Sequence, residues 1–334
     1  MTFTHQQSAH CESGVMSSLL TNAGFAISEP MVFGLSSALA FAYLPIVKLN
    51  GMPLIAYRMP PKHIINTLNK RLGLNIQSKR FSGVEAGQLA LDQALANKEA
   101  VGLQTSVFWL PYFPAEMRFH FNAHNLLVYA KENDNYLISD PVFEDVVQCS
   151  TDALNKARFA KGALAPKGLM YTLGNTPTNV NWPKLIRQSI KATTRILDGL
   201  PLPWIGVRGI AHLAKKIAKL DPAATKYNRL YLTHIVRMQE EIGTGGAGFR
   251  FMYASFLQEA AIKLNEPVLH DAANQMTLIG DGWRGFASQL VQYCKAKQAK
   301  PNFAELAASL QQLAQQERQL MQQLAAWCKT AAKL

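Results

Sequence analysis

A cysteine near the start of the sequence has a position that suits a nucleophile. Cys11 lies in the segment His10-Cys-Glu-Ser-Gly14, where a helix is expected to begin. Backbone N–H groups and the helix dipole at such a position stabilise a thiolate, which is the reactive form of cysteine. A lone cysteine is more often a small buried residue. Cys11 is therefore a candidate only if a base, and a group that orients the base, accompany it.

His124 and Asp140 are the candidates for those two roles. They belong to strand-like runs on either side of a turn at 131–135. If the turn closes a hairpin with Ala130 opposite Tyr136, His124 and Asp140 are diagonal neighbours on one face. Asp140 would then accept a hydrogen bond from the imidazole and fix its tautomer. Cysteine, histidine and aspartate in this order are typical of papain-like folds.

Other residues compete for these roles. His10 adjoins the cysteine but is expected to point elsewhere, and His120 shares the strand face of His124 at a greater distance from the aspartate. Asp134 in the turn and Asp145 beyond the second strand are expected to be solvated. We therefore favour His124 as the base and Asp140 as its partner.

An acyl-transfer site also needs donors for a developing oxyanion. The usual donors are the backbone N–H of the nucleophile and a side-chain amide. Gln6 and Gln7, just upstream of Cys11, are the candidates, with solvated glutamines as the equal alternative.

The composition limits the class of protein. The chain has 334 residues, of which 49% are hydrophobic and 17% charged, so it can form two globular domains and is not disordered. Its four cysteines are sparse and lack the spacing of a metal site or a disulfide framework. We expect free thiols in a reducing compartment, no metal and no cofactor.

Neither a targeting segment nor a membrane span is expected. The first ten residues lack a basic region followed by an apolar one, which favours the cytoplasm. The longest apolar run, Met31 to Val47, is shorter than the roughly 20 residues that a spanning helix needs. We interpret that run as buried core.

The two halves of the sequence predict different structures. Residues 1–174 are predicted to be an α+β domain of the papain-like cysteine-peptidase type, 175–183 a linker rich in turn formers, and 184–334 an all-helical domain. The expected elements of the first half are helices at 12–23, 61–72 and 86–96 and strands at 101–109, 118–130, 135–139 and 168–173. Those of the second half are helices at 185–197, 210–220, 223–241, 249–264, 268–293 and 303–333, the last closing a bundle or a homodimer.

The net charge of +12 is concentrated in the second half. Residues 1–174 have 14 basic and 12 acidic side chains, whereas 175–334 have 20 and 10. The glycine-rich segment 243–248 lacks the Lys-Ser/Thr of a phosphate-binding loop, and no nucleic-acid-binding motif is present. The basic residues predict a docking surface for an acidic partner, with an anionic membrane surface or a merely solvated face as alternatives. The candidate docking residues are Lys184, Arg187, Lys191, Arg195, Lys215 and Lys216.

Several motifs together resemble the butirosin biosynthesis protein H family. They are His10-Cys-Glu-Ser13, the run from Glu29 to Tyr43, Leu110-Pro-Tyr112, His120-Phe-Asn-Ala-His124 and Ser139-Asp-Pro141. The segment from Gly245 to Ala260 and Trp283 resemble the helical domain of unknown function that often follows. The run from Met31 to Tyr43 departs from the family in having serine and alanine where relatives are richer in glycine.

The resemblance implies acyl transfer. Cys11 would take an acyl group from an acyl carrier protein thioester, His124 would act as base and then acid, and Asp140 would orient His124. The acceptor would be a small-molecule amine or hydroxyl in lipid, polyketide or other secondary-metabolite biosynthesis. A peptidase or amidase, a thioesterase and a non-catalytic carrier-protein-binding scaffold remain open alternatives.

Overall fold

The computed structural model describes residues 3–49, 51–241, 243–295 and 302–330, which form two compact units. Unit 1 comprises Met1–Val32 and Ile64–Val180, and unit 2 comprises Phe33–His63 and Asn181–Leu334. The chain passes from unit 1 to unit 2 for the last time between Val180 and Asn181, which lies within the predicted linker at 175–183. The sequence did not predict that residues 33–63 leave the first unit and join the second.

The structure combines helices with antiparallel strands. The helices are α1 (Cys11–Asn22), α2 (Glu29–Leu35), α3 (His63–Leu72), α4 (Val84–Ala96), α5 (Thr151–Arg158), α6 (Trp182–Thr194), α7 (Gly206–Ala218), α8 (Thr225–Val236), α9 (Arg250–Leu264), α10 (Pro267–Lys295) and α11 (Phe303–Thr330). The strands are β1 (Leu39–Leu49), β2 (Met52–Arg58), β3 (Gln77–Lys79), β4 (Val101–Thr105), β5 (His124–Glu132), β6 (Asn135–Ser139), β7 (Val147–Ser150) and β8 (Met170–Thr172). The predicted α+β class with a helical second half is confirmed.

Unit 1 is built on one antiparallel sheet in the order β3-β8-β4-β5-β6-β7. Leu103, Leu126 and Ile138 from its central strands are fully buried in one hydrophobic core. Helix α1 packs against β5, the strand that begins with His124. Sheet and helix together therefore place the start of β5 beside the start of α1.

Two predicted strands are shorter than expected, because the ladder between β4 and β5 ends at the pair Thr105 and His124. Beyond that pair the backbone N–H of Ser106 donates to Ala157 O at 2.9 Å, and 107–109 form a 3₁₀ turn. The predicted strands 101–109 and 118–130 were therefore wrong at these ends, whereas 135–139 agrees at both ends.

The register of the β5–β6 hairpin differs from the prediction near its turn. Tyr136 pairs with Lys131, not with Ala130, which pairs with Leu137. An irregularity between Val128 and Ala130 then shifts the ladder by one residue, so that Leu127 pairs with Ser139. This extra residue is a β-bulge, and it restores the expected register close to Asp140.

The helices of unit 2 pack with the hairpin of β1 and β2. Phe41 from β1 and Tyr57 from β2 contact the indole of Trp283 in α10, with ring centroids 6.0 and 5.6 Å away. The predicted core run from Met31 to Val47 is buried as far as Tyr43 apart from partial exposure at Ala42. Its last part contradicts the prediction, because Ile46 is 85% and Val47 46% exposed where the pairing of β1 with β2 is irregular.

The glycine-rich segment 243–248 shapes the buried centre of unit 2. Gly248 has a φ of 54°, and a side chain there would collide with the ring of Tyr57. This close approach leads into α9, whose first residue, Arg250, is fully buried. The guanidinium forms two hydrogen bonds with Glu317 of α11, at 2.9 and 3.0 Å, and Glu317 also accepts from the indole N–H of Trp283 at 2.6 Å.

Candidate active site

Cys11 is the first residue of α1 and is 9% exposed. His10 caps the helix, since its Nδ1 accepts the backbone N–H of Ser13 at 3.3 Å. The buried carboxylate of Glu29 accepts from the backbone N–H groups of Ala9 and His10 and from the Ser13 hydroxyl, each at 2.8 Å. The helix end that carries the thiol is thus fixed on both sides.

His124 and Asp140 form the predicted pair. His124 Nε2 lies 2.8 Å from Asp140 Oδ2, and both side chains are almost completely buried. The ring of Phe113 packs edge-on against the imidazole at 5.5 Å between centroids. Because Nε2 bonds to the carboxylate, Nδ1 is the ring nitrogen left for a second partner.

The side chain of Cys11 also forms a hydrogen bond with His124. The close approach of α1 to the turn after β6 makes this contact possible. The backbone N–H of Ser8 donates to Pro141 O at 2.8 Å, and Gly14 leaves no room for a side chain against Ser8 and Pro141. The structure therefore brings Cys11, His124 and Asp140 together.

The charge state of His124 suits a thiolate partner. Burial lowers its pKa, but the charge of Asp140 and the hydrogen bond to it, with smaller contributions of the same kinds from Cys11, raise the pKa to about 10. An imidazolium at neutral pH stabilises a neighbouring thiolate, so the arrangement can perform nucleophilic catalysis.

Asp140 is held by two further donors. The hydroxyl of Tyr112 donates to Asp140 Oδ2 at 2.9 Å, and the backbone N–H of Val142 donates to Oδ1 at 3.1 Å. Burial, followed by the charge of Asp140, raises the pKa of Tyr112 well above its usual value, so the phenol stays a donor. These bonds fix the carboxylate that orients His124.

Asn125 is a site residue that the sequence analysis missed. Its Nδ2 lies 4.0 Å from Cys11 Sγ, and its Oδ1 accepts the hydroxyl of Tyr171 at 3.1 Å. Tyr171 thereby orients the amide, whose Nδ2 also donates to Ala123 O at 3.2 Å. Strand alternation places Asn125 on the face opposite to His124. Only the contact of α1 with the start of β5 reveals that Asn125 lies near the thiol. No sequence signal besides its adjacency to His124 marks this residue.

The remaining candidates lie elsewhere. Gln6 and Gln7 are exposed, and Gln7 Nε2 donates to Val142 O at 3.3 Å. His120 is exposed and stacks on the ring of Phe108, with 4.0 Å between ring centroids. Asp134 and Asp145 are exposed to solvent, as the sequence predicts. The oxyanion role of the two glutamines remains a prediction.

The other thiols differ from Cys11 in their surroundings. Burial raises the pKa of Cys149 to about 12 and that of Cys328 to about 11. Cys294 is partly exposed and contacts the hydroxyl of Thr233 at 3.5 Å. Both buried thiols are therefore protonated at neutral pH and are poor nucleophiles.

The basic docking candidates lie on two helices of unit 2. Lys184, Lys191 and Arg195 are exposed along α6 and its last turn, and Lys215 and Lys216 are exposed on α7. Arg187 is half-buried, with Nη2 3.7 Å from Glu266 Oε1 and its guanidinium over the ring of Trp327. Among the residues that the structure describes, no helix is both long and apolar enough to cross a membrane.

Replacing Asp140 with asparagine should lower the pKa of His124 by about 1–3 pH units, because the variant keeps a hydrogen-bond partner but loses the charge. Histidine ring shifts measured by NMR across a pH titration give this pKa directly. Tyr112→Phe, which removes a neutral donor from Asp140, is the control and should shift it less. An unchanged pKa in Asp140→Asn would remove Asp140 from its orienting role.

The same pair links the stability of the fold to pH. The folded protein raises the pKa of His124 from 6.5 to about 10, so it binds this proton more tightly than the unfolded chain. The stabilisation is therefore complete below pH 6.5 and is lost as the pH rises through about 10. In Asp140→Asn, urea unfolding should show a smaller loss of stability over the same alkaline range.

Two family models match successive parts of the chain. Residues 10–141 match the family model described as butirosin biosynthesis protein H, N-terminal, and residues 152–324 match a domain of unknown function (DUF4872). A crystal structure of a C39-like peptidase from Bacillus anthracis is similar to 53% of this chain and 96% of its own, at 10% identity and a TM-score of 0.38. A search of curated proteins gave no match.

Proposed function

Because this chain belongs to the butirosin biosynthesis protein H family, with that N-terminal domain followed by a domain of unknown function (DUF4872), we propose that it is a cysteine-dependent acyltransferase. It would accept an acyl group from an acyl carrier protein thioester and deliver it to an amine or hydroxyl of a small molecule. Lipid, polyketide or other secondary-metabolite biosynthesis in the cytoplasm is the proposed setting.

The observation that carries the proposal is the buried contact of Cys11 with His124, which Asp140 orients at 2.8 Å. The Cys11 thiolate would attack the carbonyl carbon of the carrier-bound thioester. The C–S bond to the phosphopantetheine thiol then breaks, and that thiol takes the proton of His124. Exchange of one thioester for another is nearly balanced in energy, so no cofactor of the enzyme itself is needed.

The second half of the reaction would use the same residues in the opposite sense. Once Cys11 is acylated, His124 has given its proton to the departing phosphopantetheine thiol, so its neutral imidazole can act as a base. The acceptor attacks the acyl-cysteine carbonyl, His124 takes the proton from the acceptor, and the thiolate of Cys11 leaves. Transfer prevails over hydrolysis only if the acceptor excludes water from the acyl-enzyme.

Stabilisation of the oxyanion would come from the backbone N–H of Cys11 and a side-chain amide. Asn125 joins Gln6 and Gln7 as a candidate because its Nδ2 lies 4.0 Å from Cys11 Sγ. Removing one such donor typically costs about 10²–10³ in rate.

Docking of the carrier protein would use the exposed basic residues of unit 2. Acyl carrier proteins are typically acidic, and a basic surface speeds their association. Lys184, Lys191 and Arg195 are suited to this because they share the exposed side of α6 and its last turn.

Intact-mass spectrometry after mixing the protein with an acylated carrier protein tests the proposal. We expect the wild type to gain the mass of the acyl group, and Cys11→Ala to gain none. Cys294→Ala should be acylated normally and serves as the matched control. An adduct that persists in Cys11→Ala would refute the nucleophile.

The acceptor requirement separates transfer from the alternatives. A transferase keeps the adduct until an amine or hydroxyl acceptor is added, whereas a thioesterase releases free acid without one. A peptidase or amidase cleaves amide substrates with the same three residues. A scaffold binds the carrier protein but forms no adduct, which would contradict the proposal.

A further inference from the structure

Unit 2 exposes apolar side chains in the β1–β2 hairpin, at the irregularity of β1 between Leu44 and Lys48. Ile46 is 85% and Val47 46% exposed, and the neighbouring Lys48 is exposed as well. Among residues 39–58 there are two basic side chains, Lys48 and Arg58, and no acidic one. Adjacent exposed apolar side chains of this kind mark a surface that contacts a protein partner or a membrane.

Two other segments bring exposed apolar and aromatic residues to the same hairpin. In the loop before α7, Leu202 lies between two prolines and is 43% exposed. Trp204 follows the second proline and is 38% exposed. On α8, Tyr227 is 47% and Leu230 53% exposed. We call these six residues the hairpin surface: Ile46, Val47, Leu202, Trp204, Tyr227 and Leu230.

The buried Tyr43 of β1 joins the three segments. Its backbone N–H donates to Trp204 O at 2.9 Å, and its hydroxyl lies 3.0 Å from that of Tyr231 in α8. Tyr227 stacks on Tyr231 with ring centroids 5.8 Å apart. Nearer the tip, His234 Nε2 of α8 lies 2.9 Å from Pro53 O of β2. Direct contacts therefore join the hairpin, the loop and α8.

Basic residues accompany this surface. Between residues 200 and 236 there are six lysines and arginines and a single acid, Asp221. All six basic side chains are exposed: Arg208, Lys215, Lys216, Lys219, Lys226 and Arg229. The ring of His212, one turn before Lys216, lies 5.6 Å from that of Tyr43, which links α7 to the hairpin.

We propose that the hairpin surface docks on an anionic lipid bilayer, inserting Ile46, Val47 and Trp204 among the headgroups. Protruding apolar residues, tryptophan and tyrosine at the interface, and surrounding positive charge are the three features that bind a peripheral protein to such a surface. An anionic bilayer accounts for both the positive charge and the apolar side chains, including an isoleucine that is 85% exposed. The proposal concerns unit 2 and does not depend on the reaction at Cys11.

Vesicle co-sedimentation of the full chain tests this proposal. We expect binding to vesicles of equimolar phosphatidylglycerol and phosphatidylcholine, and little binding to phosphatidylcholine alone. The double variant Ile46→Ser/Trp204→Ser should weaken binding at least about tenfold, because it removes the inserting groups. Lys215→Gln and Lys216→Gln should each weaken it about fivefold, more at low than at high salt.

Matched controls separate this surface from general stickiness. Ile262 of α9 and Leu278 of α10 are 75% and 70% exposed elsewhere in unit 2, so Ile262→Ser and Leu278→Ser should bind as the wild type does. Lys184→Gln and Lys191→Gln, on the basic side of α6, are further controls and should also bind vesicles as the wild type does. Equal losses in the control and hairpin variants would overturn the proposal. So would absence of vesicle binding, including the case in which the hairpin variants instead lose binding to an acidic carrier protein.

Discussion

His124→Ala should slow acylation of Cys11 by about 10²–10⁴-fold at neutral pH, the range that a positioned acid or base contributes. The variant loses the imidazolium that stabilises the thiolate, and it also loses the proton donor for the departing thiol. Rapid-quench mixing with an acylated carrier protein, followed by intact-mass analysis, measures the rate. Circular dichroism checks that the variant is folded, and we expect a spectrum like that of the wild type.

The pH dependence of loading distinguishes this role from simple packing. In the wild type, His124 keeps its proton up to about pH 10, so the loading rate should change little from neutral pH until that value is approached. In His124→Ala the rate should rise with pH, because hydroxide must then remove the thiol proton.

His120→Ala is the matched control for this prediction. His120 lies four residues before His124 but is exposed and stacks on Phe108. Its replacement should leave the loading rate within roughly twofold of the wild type, because it makes no contact that the mechanism uses. Equal losses in the two variants, or none in His124→Ala, would contradict the assignment.

Glu317→Gln should reduce the free energy of unfolding by about 3–5 kcal/mol, which is typical of breaking a buried ion pair. Arg250 and Glu317 are both fully buried, so the substitution leaves a guanidinium without its compensating charge. It also weakens the acceptor of the Trp283 indole N–H, which lies 2.6 Å from Glu317 Oε1. Urea unfolding followed by tryptophan fluorescence gives the change.

The neighbouring residue of α11 provides the control. Arg318 forms an exposed ion pair with Asp198 at 3.2 Å, and Arg318→Gln should cost less than about 1 kcal/mol. The double variant Arg250→Met/Glu317→Leu should recover part of the loss, because it leaves no unpaired charge in the core. A Glu317→Gln variant as stable as Arg318→Gln would show that Arg250 finds another partner.

The local pattern of the sequence was enough to select three residues that the structure brings together. The cysteine was selected because it lies where a helix is expected to begin. The histidine and the aspartate were selected because strand alternation places them on one face, on either side of a short turn. The strand Asn135–Ser139 agreed with the structure at both ends, since its alternation is bounded by a clear turn. The helical character of the second half followed in the same way from helical periodicity.

Features that depend on contacts between distant segments could not be read from the sequence. Asn125 lies beside Cys11 although strand alternation places it on the face opposite to His124, and a bulge corrects the register that the turn alone would set. The run from Met31 to Val47 looked like uniform core, yet its last residues protrude from a hairpin of the second unit. Composition records that a segment is apolar, but only the packing decides which of its residues meet a partner.

The same division holds for charge. The sequence by itself determined that the excess of basic residues belongs to the second half, because counting needs no geometry. Only the tertiary structure decided that Arg250 is sealed in the core against Glu317, that Arg187 lies over Trp327, and that Lys215 and Lys216 face solvent. The physical reason is that burial and pairing are set by segments far apart in the chain, whereas residue type and local spacing are set by the sequence itself.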